Sequence, residues 1–200
     1  MLLISCKKTT TVTAETSVLV KQYKAFPKNE IDTVVSILQK VYGVKTVIAK
    51  DQEFYPEAYI DLKSPRYRAD SIIKFQQKEI NNSIDYVLGL TSKDISVTKK
   101  DASGNIKKPE YKYQDWGIMG LAYCPGESCV VSTFRIKSKN KTVYFDRLKK
   151  VTVHEFGHNL GLPHCPNKKC VMTDAVESVK TIDNAKLKLC DDCAGRISLN

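Results

Sequence analysis

Apolar side chains recur along the first half of the chain with two different periods, which predict its strands and helices. Residues 17–23 (SVLVKQY) alternate apolar and polar positions, as a half-buried strand does. Residues 29–42 carry apolar side chains at helical spacing, and Gly43 follows as a stop signal, so this segment is predicted to be a helix. Similar patterns predict strands at 44–50 and 84–90, a helix at 65–80, and a long polar surface loop at 92–115.

The second half of the chain predicts a hairpin, a long helix and an irregular tail. Residues 117–123 and 129–136 are predicted strands, joined by a turn that contains Pro125 and Gly126. Residues 142–160 are predicted to be a long helix that Gly161 ends, and the tail has at most one short helix around 182–189. Helices that alternate with strands, followed by a cysteine-rich tail, predict a mixed α/β (α+β) sheet domain with a small C-terminal subdomain.

Composition narrows the class of protein. A chain of 200 residues with 42% hydrophobic and 27% charged residues is typical of one soluble globular domain, and no run approaches the roughly 20 apolar residues of a membrane-spanning helix. The net charge of +10 comes from lysines scattered along the chain rather than gathered in one arm or helix. Together with the absence of a nucleic-acid motif, this scatter argues against a nucleic-acid partner.

The chain's three histidines all lie in one short stretch, HEFGHNLGLPH. His154 and His158 are four residues apart on the predicted helix, so both rings project from one face and can bind one zinc ion. Gly161 can adopt the positive φ that turns the chain, which brings His164 back as a third ligand. Glu155 lies beside these ligands, placed to accept a proton rather than to bind metal.

This arrangement predicts peptide-bond hydrolysis. Three neutral ligands leave one zinc position open for water, whose pKa zinc lowers toward about 7. Glu155 would then act as general base, and later as acid toward the leaving amine. The alternative is a non-catalytic, zinc-stabilised binding module tethered to a membrane, but a purely structural site has no use for Glu155.

The residues that follow His164 indicate which protein family the chain resembles. Cys165 comes next, then four residues, the segment 170–172 (CVM), seventeen residues, and the segment 190–193 (CDDC). The pattern HExxHxxGxxHC-x4-CxM-x17-CxxC resembles the signature of the archaemetzincins, a family of metzincin zinc metallopeptidases. The resemblance implies a twisted mixed sheet, an active-site helix, a small lower subdomain, and a peptide or protein substrate. It also implies that Met172 forms a hydrophobic floor under the zinc, and that residues 117–123 form an edge strand above the cleft.

The cysteines divide into two groups. Cys165 is not expected to close the catalytic site, because neighbouring side chains in an extended segment point to opposite sides. Four thiolates can hold a structural zinc, although export would allow disulfides instead; the CxxC spacing favours zinc, and hence two zinc ions per chain. The four are Cys165, Cys170, Cys190 and Cys193. Cys124 and Cys129 are predicted to form a disulfide in an oxidising compartment, and to be free thiols or a redox pair in a reducing one.

The N-terminal residues predict where the protein is located in the cell. Residues 3–6 (LISC) resemble a bacterial lipobox, and the threonine-rich segment after them is typical of a flexible tether. We therefore expect an exported bacterial lipoprotein of the periplasm or outer membrane, anchored through lipidated Cys6; the alternative is a chance cysteine in a cytoplasmic protein. The expected organisation is a signal remnant and tether at 1–16 and one monomeric peptidase domain at 17–200. That domain comprises an upper subdomain (17–161) and a lower one (162–200).

Overall fold

The computed structural model describes residues 10–174 and 178–199. The strands are β1 (Thr10–Val12), β2 (Ser17–Tyr23), β3 (Lys45–Ile48), β4 (Tyr59–Asp61), β5 (Pro65–Arg68), β6 (Tyr86–Thr91), β7 (Ile95–Val97), β8 (Trp116–Ile118), β9 (Gly120–Ala122), β10 (Ser128–Ser132) and β11 (Ile197–Leu199). The helices are α1 (Lys28–Tyr42), α2 (Ala69–Gln76), α3 (Glu110–Tyr113), α4 (Lys141–Asn159), α5 (Val179–Asn184) and α6 (Asp191–Ala194), with 3-10 turns at Pro56–Ala58 and Gln77–Glu79.

A five-stranded sheet forms the centre of the domain, in the order β3-β2-β6-β10-β9. The first four strands are parallel, and β9 at the edge runs antiparallel to β10. Helices cover both faces: Val131 of β10 packs in the cluster with α1 and α4, whereas the neighbouring Val130 packs with α2. This alternation follows from the strand period of two, and it explains why β10 is buried along its whole length.

The helices predicted at 29–42 and 142–160 are confirmed as α1 and α4. At the end of α1, Gly43 has φ 69° and donates its N–H to the carbonyl of Gln39. At the start of α4, the side-chain oxygen of Asn140 accepts hydrogen bonds from the first backbone N–H groups, as an N-cap does. Among residues 10–174 and 178–199, no helix has the length and apolar character needed to cross a membrane.

A second sheet, in the order β4-β5-β7-β8, corrects three sequence predictions. The helix predicted at 65–80 begins only at Ala69, because Pro65–Arg68 forms β5 and pairs with two other strands. The predicted loop at 92–115 contains β7 and the short α3. The strand predicted at 117–123 divides at Met119 into β8 and β9, which belong to different sheets. Apart from the local pairing of β4 with β5, these pairings join distant segments, so local periodicity does not reveal them.

The two ends of the described chain meet in a small parallel sheet. Residues 10–12, predicted as part of a tether, form β1 and pair with β11. Val12 and Ile197 are both buried there, which gives this pairing an apolar contact. The short helix predicted at 182–189 lies earlier, as α5, and α6 was not predicted.

Candidate active site

The last two turns of α4 carry the first two histidines and the glutamate of the motif. This end of the helix is buried from Val151 to Asn159 except for the half-buried His154. Gly161 has φ 88°, as predicted, and the following Leu162 donates its N–H to the carbonyl of Gly157 at 3.0 Å. The chain therefore turns directly after the helix, and His164 returns to face the other two rings.

The three imidazoles are arranged as ligands of one ion. The Nε2 atoms of His154 and His158 are 3.1 Å apart, and one ring nitrogen from each histidine lies within 4.8 Å of the others. Two nitrogens bound tetrahedrally to zinc at about 2.0–2.1 Å would be about 3.3–3.4 Å apart. The donor set therefore fits zinc.

Backbone carbonyls fix two of these rings from behind. Nδ1 of His154 lies 2.9 Å from the carbonyl oxygen of Val171, and Nδ1 of His158 lies 2.7 Å from that of Leu162. A proton on Nδ1 donates to the carbonyl and leaves the Nε2 lone pair free, which is the tautomer that binds metal. Burial lowers the pKa of His154 to about 4, and the neighbouring His158 contributes to a smaller extent. This ring is therefore neutral at neutral pH.

The third histidine, His164, is the ligand that is exposed to solvent. The His164 side chain is 44% exposed, and its Nδ1 lies 3.8 Å from a carboxylate oxygen of Asp174. The histidine cluster is thus open to solvent at His164, whereas His158 is buried.

Glu155 is held between α4 and the edge strand β9. Its side chain is buried, and a Cβ placed on Gly120 would lie only 2.5 Å from Oε1 of Glu155. Glycine at position 120 thus allows the carboxylate to approach the backbone closely. Burial raises the pKa of Glu155 to about 8, and a cation held by the histidines would act in the opposite direction.

Met172 packs beneath the active-site helix. It is fully buried, and a Cβ on Gly157 would lie 2.6 Å from its sulfur and 2.9 Å from the hydroxyl of Tyr42. The Tyr42 hydroxyl donates to the carbonyl of Val153 at 2.8 Å. Gly157, between the two helix histidines, therefore lets a sulfur and a phenol reach the helix backbone.

A cleft of about 540 Å³ contains all three histidines and Glu155. Residues 116–122 line one side of it, and Val151, Val179 and Ile182 lie among the apolar residues that line the rest. Such a groove, with a few polar groups on an apolar lining, is typical of a substrate site.

The four C-terminal cysteines form a separate cluster. Their sulfur atoms all lie within 4.8 Å of one another; Sγ of Cys165 and Cys190 are 3.6 Å apart, and Sγ of Cys170 and Cys193 are 3.8 Å apart. Sulfurs bound tetrahedrally to zinc at about 2.3 Å would be about 3.8 Å apart, whereas a disulfide needs about 2.05 Å. The backbone N–H of Cys190 also donates to the sulfur of Cys170 at 3.3 Å. The cluster fits a four-cysteine zinc site.

One backbone contact joins the two clusters. The N–H of Cys165 donates to the carbonyl of Met172 at 2.8 Å, and Cys165 also forms a parallel bridge with Thr173. Residues on either side of the His164–Cys165 peptide bond thus belong to different clusters of candidate metal ligands.

Neither hairpin cysteine forms a disulfide in the structure, and their pairing in an oxidising compartment stays a prediction. Cys124 is exposed in the turn, and Cys129 is completely buried on β10. Cys6 lies outside the described residues.

The sheet, the open three-histidine site and the adjacent carboxylate define a zinc metallopeptidase. The chain belongs to Peptidase family M54, whose model matches residues 16–198. It is similar to an archaemetzincin of Halobacterium salinarum, with 31% identity over 79% of this chain and 86% of that protein. Its function is accordingly that of the archaemetzincins, and the non-catalytic alternative is set aside.

Solved structures agree with this assignment. The crystal structure of archaemetzincin from Methanopyrus kandleri has a TM-score of 0.73 and 26% identity, and the match covers 91% of this chain and 93% of that one. The Archaeoglobus fulgidus archaemetzincin, solved with malonate, has a TM-score of 0.71 and 25% identity, covering 90% and 99%. The predicted family and fold class are confirmed.

The predicted location is wrong. The curated relatives are archaeal archaemetzincins, from organisms such as Methanopyrus kandleri and Archaeoglobus fulgidus, and not bacterial lipoproteins. A four-residue lipobox is a short pattern, and the family match begins after it, at residue 16.

Sequence reasoning missed three residues that shape the site. Gly120 and Gly157 make room for Glu155 and Met172, and Arg135 lines the cleft from a position just beyond β10. The two glycines were visible as glycines inside predicted elements, a signal of close backbone approach. Arg135 carried no such signal.

Proposed function

We propose that this chain cleaves peptide bonds with Glu155 as general base beside a zinc ion held by His154, His158 and His164. The observation that supports it most is the convergence of three ring nitrogens within 4.8 Å in a cleft that Glu155 also lines. When bound, zinc supplies a Lewis acid that polarises the scissile carbonyl and makes water nucleophilic at neutral pH.

The chain's own residues perform the remaining tasks. The carbonyls of Val171 and Leu162 orient two imidazoles through their Nδ1 atoms. Glu155 accepts the proton of the attacking water and passes it to the leaving amine. Met172 supports the ligand-bearing turns of α4 from below.

The substrate is proposed to bind as an extended strand along β9. This strand lies at the edge of its sheet and, among the described residues, pairs only with β10. Residues 116–122 line the cleft, so a peptide can add to the sheet at this edge. All ligands and the base come from one chain, so a monomer suffices for activity.

The cysteine cluster is proposed to hold a second, structural zinc. Three of its four cysteines are buried, and four thiolates would leave no position for water. The lower subdomain (162–200) would depend on this ion, because its helices α5 and α6 have only six and four residues. The upper subdomain (17–161) contains the larger sheet.

The test replaces Glu155 by glutamine. We expect Glu155→Gln to keep two zinc ions per chain and to lose peptide hydrolysis by about 10²- to 10⁴-fold, the usual contribution of general acid–base catalysis. Glu127→Gln is the control, since Glu127 is exposed and undergoes the same change of charge. Unchanged hydrolysis by Glu155→Gln with both ions bound would refute the assigned role.

A further inference from the structure

A second cavity adjoins the active-site cleft at the Trp116 end. It has a volume of about 210 Å³ and shares Trp116, Gly117 and Arg135 with the cleft. The two cavities therefore adjoin at β8, which directly precedes β9, the strand proposed to bind substrate. The remaining lining residues are Lys63, Arg66, Lys112 and Asp115.

Two of the four cations in this cavity are neutralised. Asp94, which is 6% exposed, accepts from Nε of Arg66 and from Nε and Nη2 of Arg135, each at 2.7–2.8 Å. Asp115 accepts from Nη1 of Arg66 at 3.0 Å. Two guanidinium groups thus face two carboxylates, and this part of the cavity is electrically balanced.

The two lysines are not neutralised. Nζ of Lys63 donates to the backbone carbonyl of Lys112 at 2.8 Å, and Nζ of Lys112 lies 5.4 Å from the ring centroid of Trp116. Within residues 10–174 and 178–199, neither ammonium group has a carboxylate within ion-pair distance. The cavity therefore carries an excess positive charge of two.

Arg135 connects this charge to the cleft. A Cβ on Gly117 would collide with its guanidinium group, so the group lies flat against the backbone of β8. Its Nη1 has no hydrogen-bond partner among the described residues, and its side chain is one-third exposed. A hydrogen-bond donor with fixed orientation is thus available where the two cavities meet.

We propose that this cavity, the lysine pocket, binds the carboxylate of a glutamate or aspartate side chain of the peptide substrate. The inference rests on the proposed function, because it takes the substrate to lie along β9. Gly117 and Trp116 of β8 precede Gly120, beside Glu155, by three and four residues, which is at most about 10–13 Å of extended chain at about 3.3 Å per residue. The acidic residue therefore lies about three or four positions from the cleaved bond, on the side toward Trp116.

The experiment measures binding without turnover. Zinc-loaded Glu155→Gln protein is titrated with short blocked peptides in which one glutamate is moved along a neutral sequence, each paired with its glutamine counterpart. Trp116, the chain's single tryptophan, reports binding by its fluorescence. We expect glutamate to lower Kd about fivefold at one or two adjacent positions at low ionic strength, since each partly exposed ion pair contributes modestly.

Matched variants locate the effect. Lys63→Gln/Lys112→Gln should reduce the glutamate preference to less than about twofold, whereas Lys40→Gln/Lys50→Gln, two exposed lysines outside both cavities, should retain it. At roughly 0.5 M salt, where the Debye length is about 4 Å, the preference should shrink in the unmodified pocket.

Three results would overturn the proposal. They are an equal Kd for glutamate and glutamine at every position, a preference that survives loss of both lysines, and tighter binding of inorganic phosphate than of any glutamate peptide. The last would indicate a free-anion site. Failure here leaves hydrolysis by the native chain untouched, whereas failure of the proposed function appears as unchanged hydrolysis by Glu155→Gln.

Discussion

The histidine cluster and the cysteine cluster are separated by a single peptide bond, between His164 and Cys165, yet they differ in access and in ligand number. The histidine cluster has three nitrogen ligands at a cleft, and one ligand is 44% exposed. The cysteine cluster has four sulfur ligands, three of them buried, away from the cleft lining. Under the proposed function, the open position at the first site would allow reactivity, and the filled shell at the second would confer stability.

The difference originates in the elements that carry the ligands. Two histidines lie on α4, a helix of 19 residues packed against the central sheet, so their positions depend on a large core. The cysteines lie in a tail with only short helices, so their positions depend on one another. Removing zinc from the histidine cluster should therefore abolish hydrolysis and leave the fold intact. Removing it from the cysteine cluster should destabilise the fold.

The largest effect is expected from His158→Ala. We expect this variant to bind one zinc instead of two and to lose hydrolysis by more than about 10³-fold, because the ion that polarises the carbonyl is gone. Its far-ultraviolet circular dichroism should match that of the native chain, since α4 stays packed on the sheet. Loss of helical signal together with activity would contradict the separation of the two sites.

Cys193→Ser tests the structural role of the cysteine cluster. We expect one zinc per chain and a loss of more than about 4 kcal/mol of unfolding free energy, which lowers Tm by roughly 10 °C. Cys124→Ser is the control: Cys124 is exposed and outside the cluster, so its effect should stay within about 0.5 kcal/mol. Equal melting temperatures for the two variants would remove the structural role.

Gly157→Ala should have the smallest effect and should reach both sites. The added methyl group would displace Met172 or Tyr42, at a cost of about 1–3 kcal/mol for overpacking. Because Met172 also accepts the N–H of Cys165, hydrolysis and zinc retention at the cysteine cluster should both decline. Thermal melting and zinc release by a chelator measure these effects; a variant that changes neither would show that Met172 does not couple the clusters.

The sequence predicted the ligands better than the sheet that positions them. The helical period places His154 and His158 on one face, and Gly161 ends the helix; both are local properties of the sequence. The CxxC spacing is local too. The strand at Pro65–Arg68 pairs with residues about thirty positions away, and β1 pairs with β11 across almost the whole chain. Such pairings depend on tertiary packing, so helical periodicity assigned the first segment to a helix and the threonine-rich composition assigned the second to a tether.

The residues that line the cleft could not be predicted from the sequence either. Glu155 approaches Gly120 across 35 positions, and Arg135 is fixed by Asp94 across 41. These contacts require the positions of separate strands, which no motif in this sequence encodes. The sequence therefore predicted the chemistry of the site but not the lining that would select a substrate.

Stepwise removal of zinc tests the central claim most directly. A chelator is added in increments while zinc content, peptide hydrolysis and circular dichroism are measured on the same sample. We predict that hydrolysis disappears as zinc falls from two ions to one per chain, with the fold unchanged, and that the melting temperature followed by circular dichroism falls only when the second ion leaves. Hydrolysis that persists in the one-zinc form, or a fold lost with the first ion, would contradict the account.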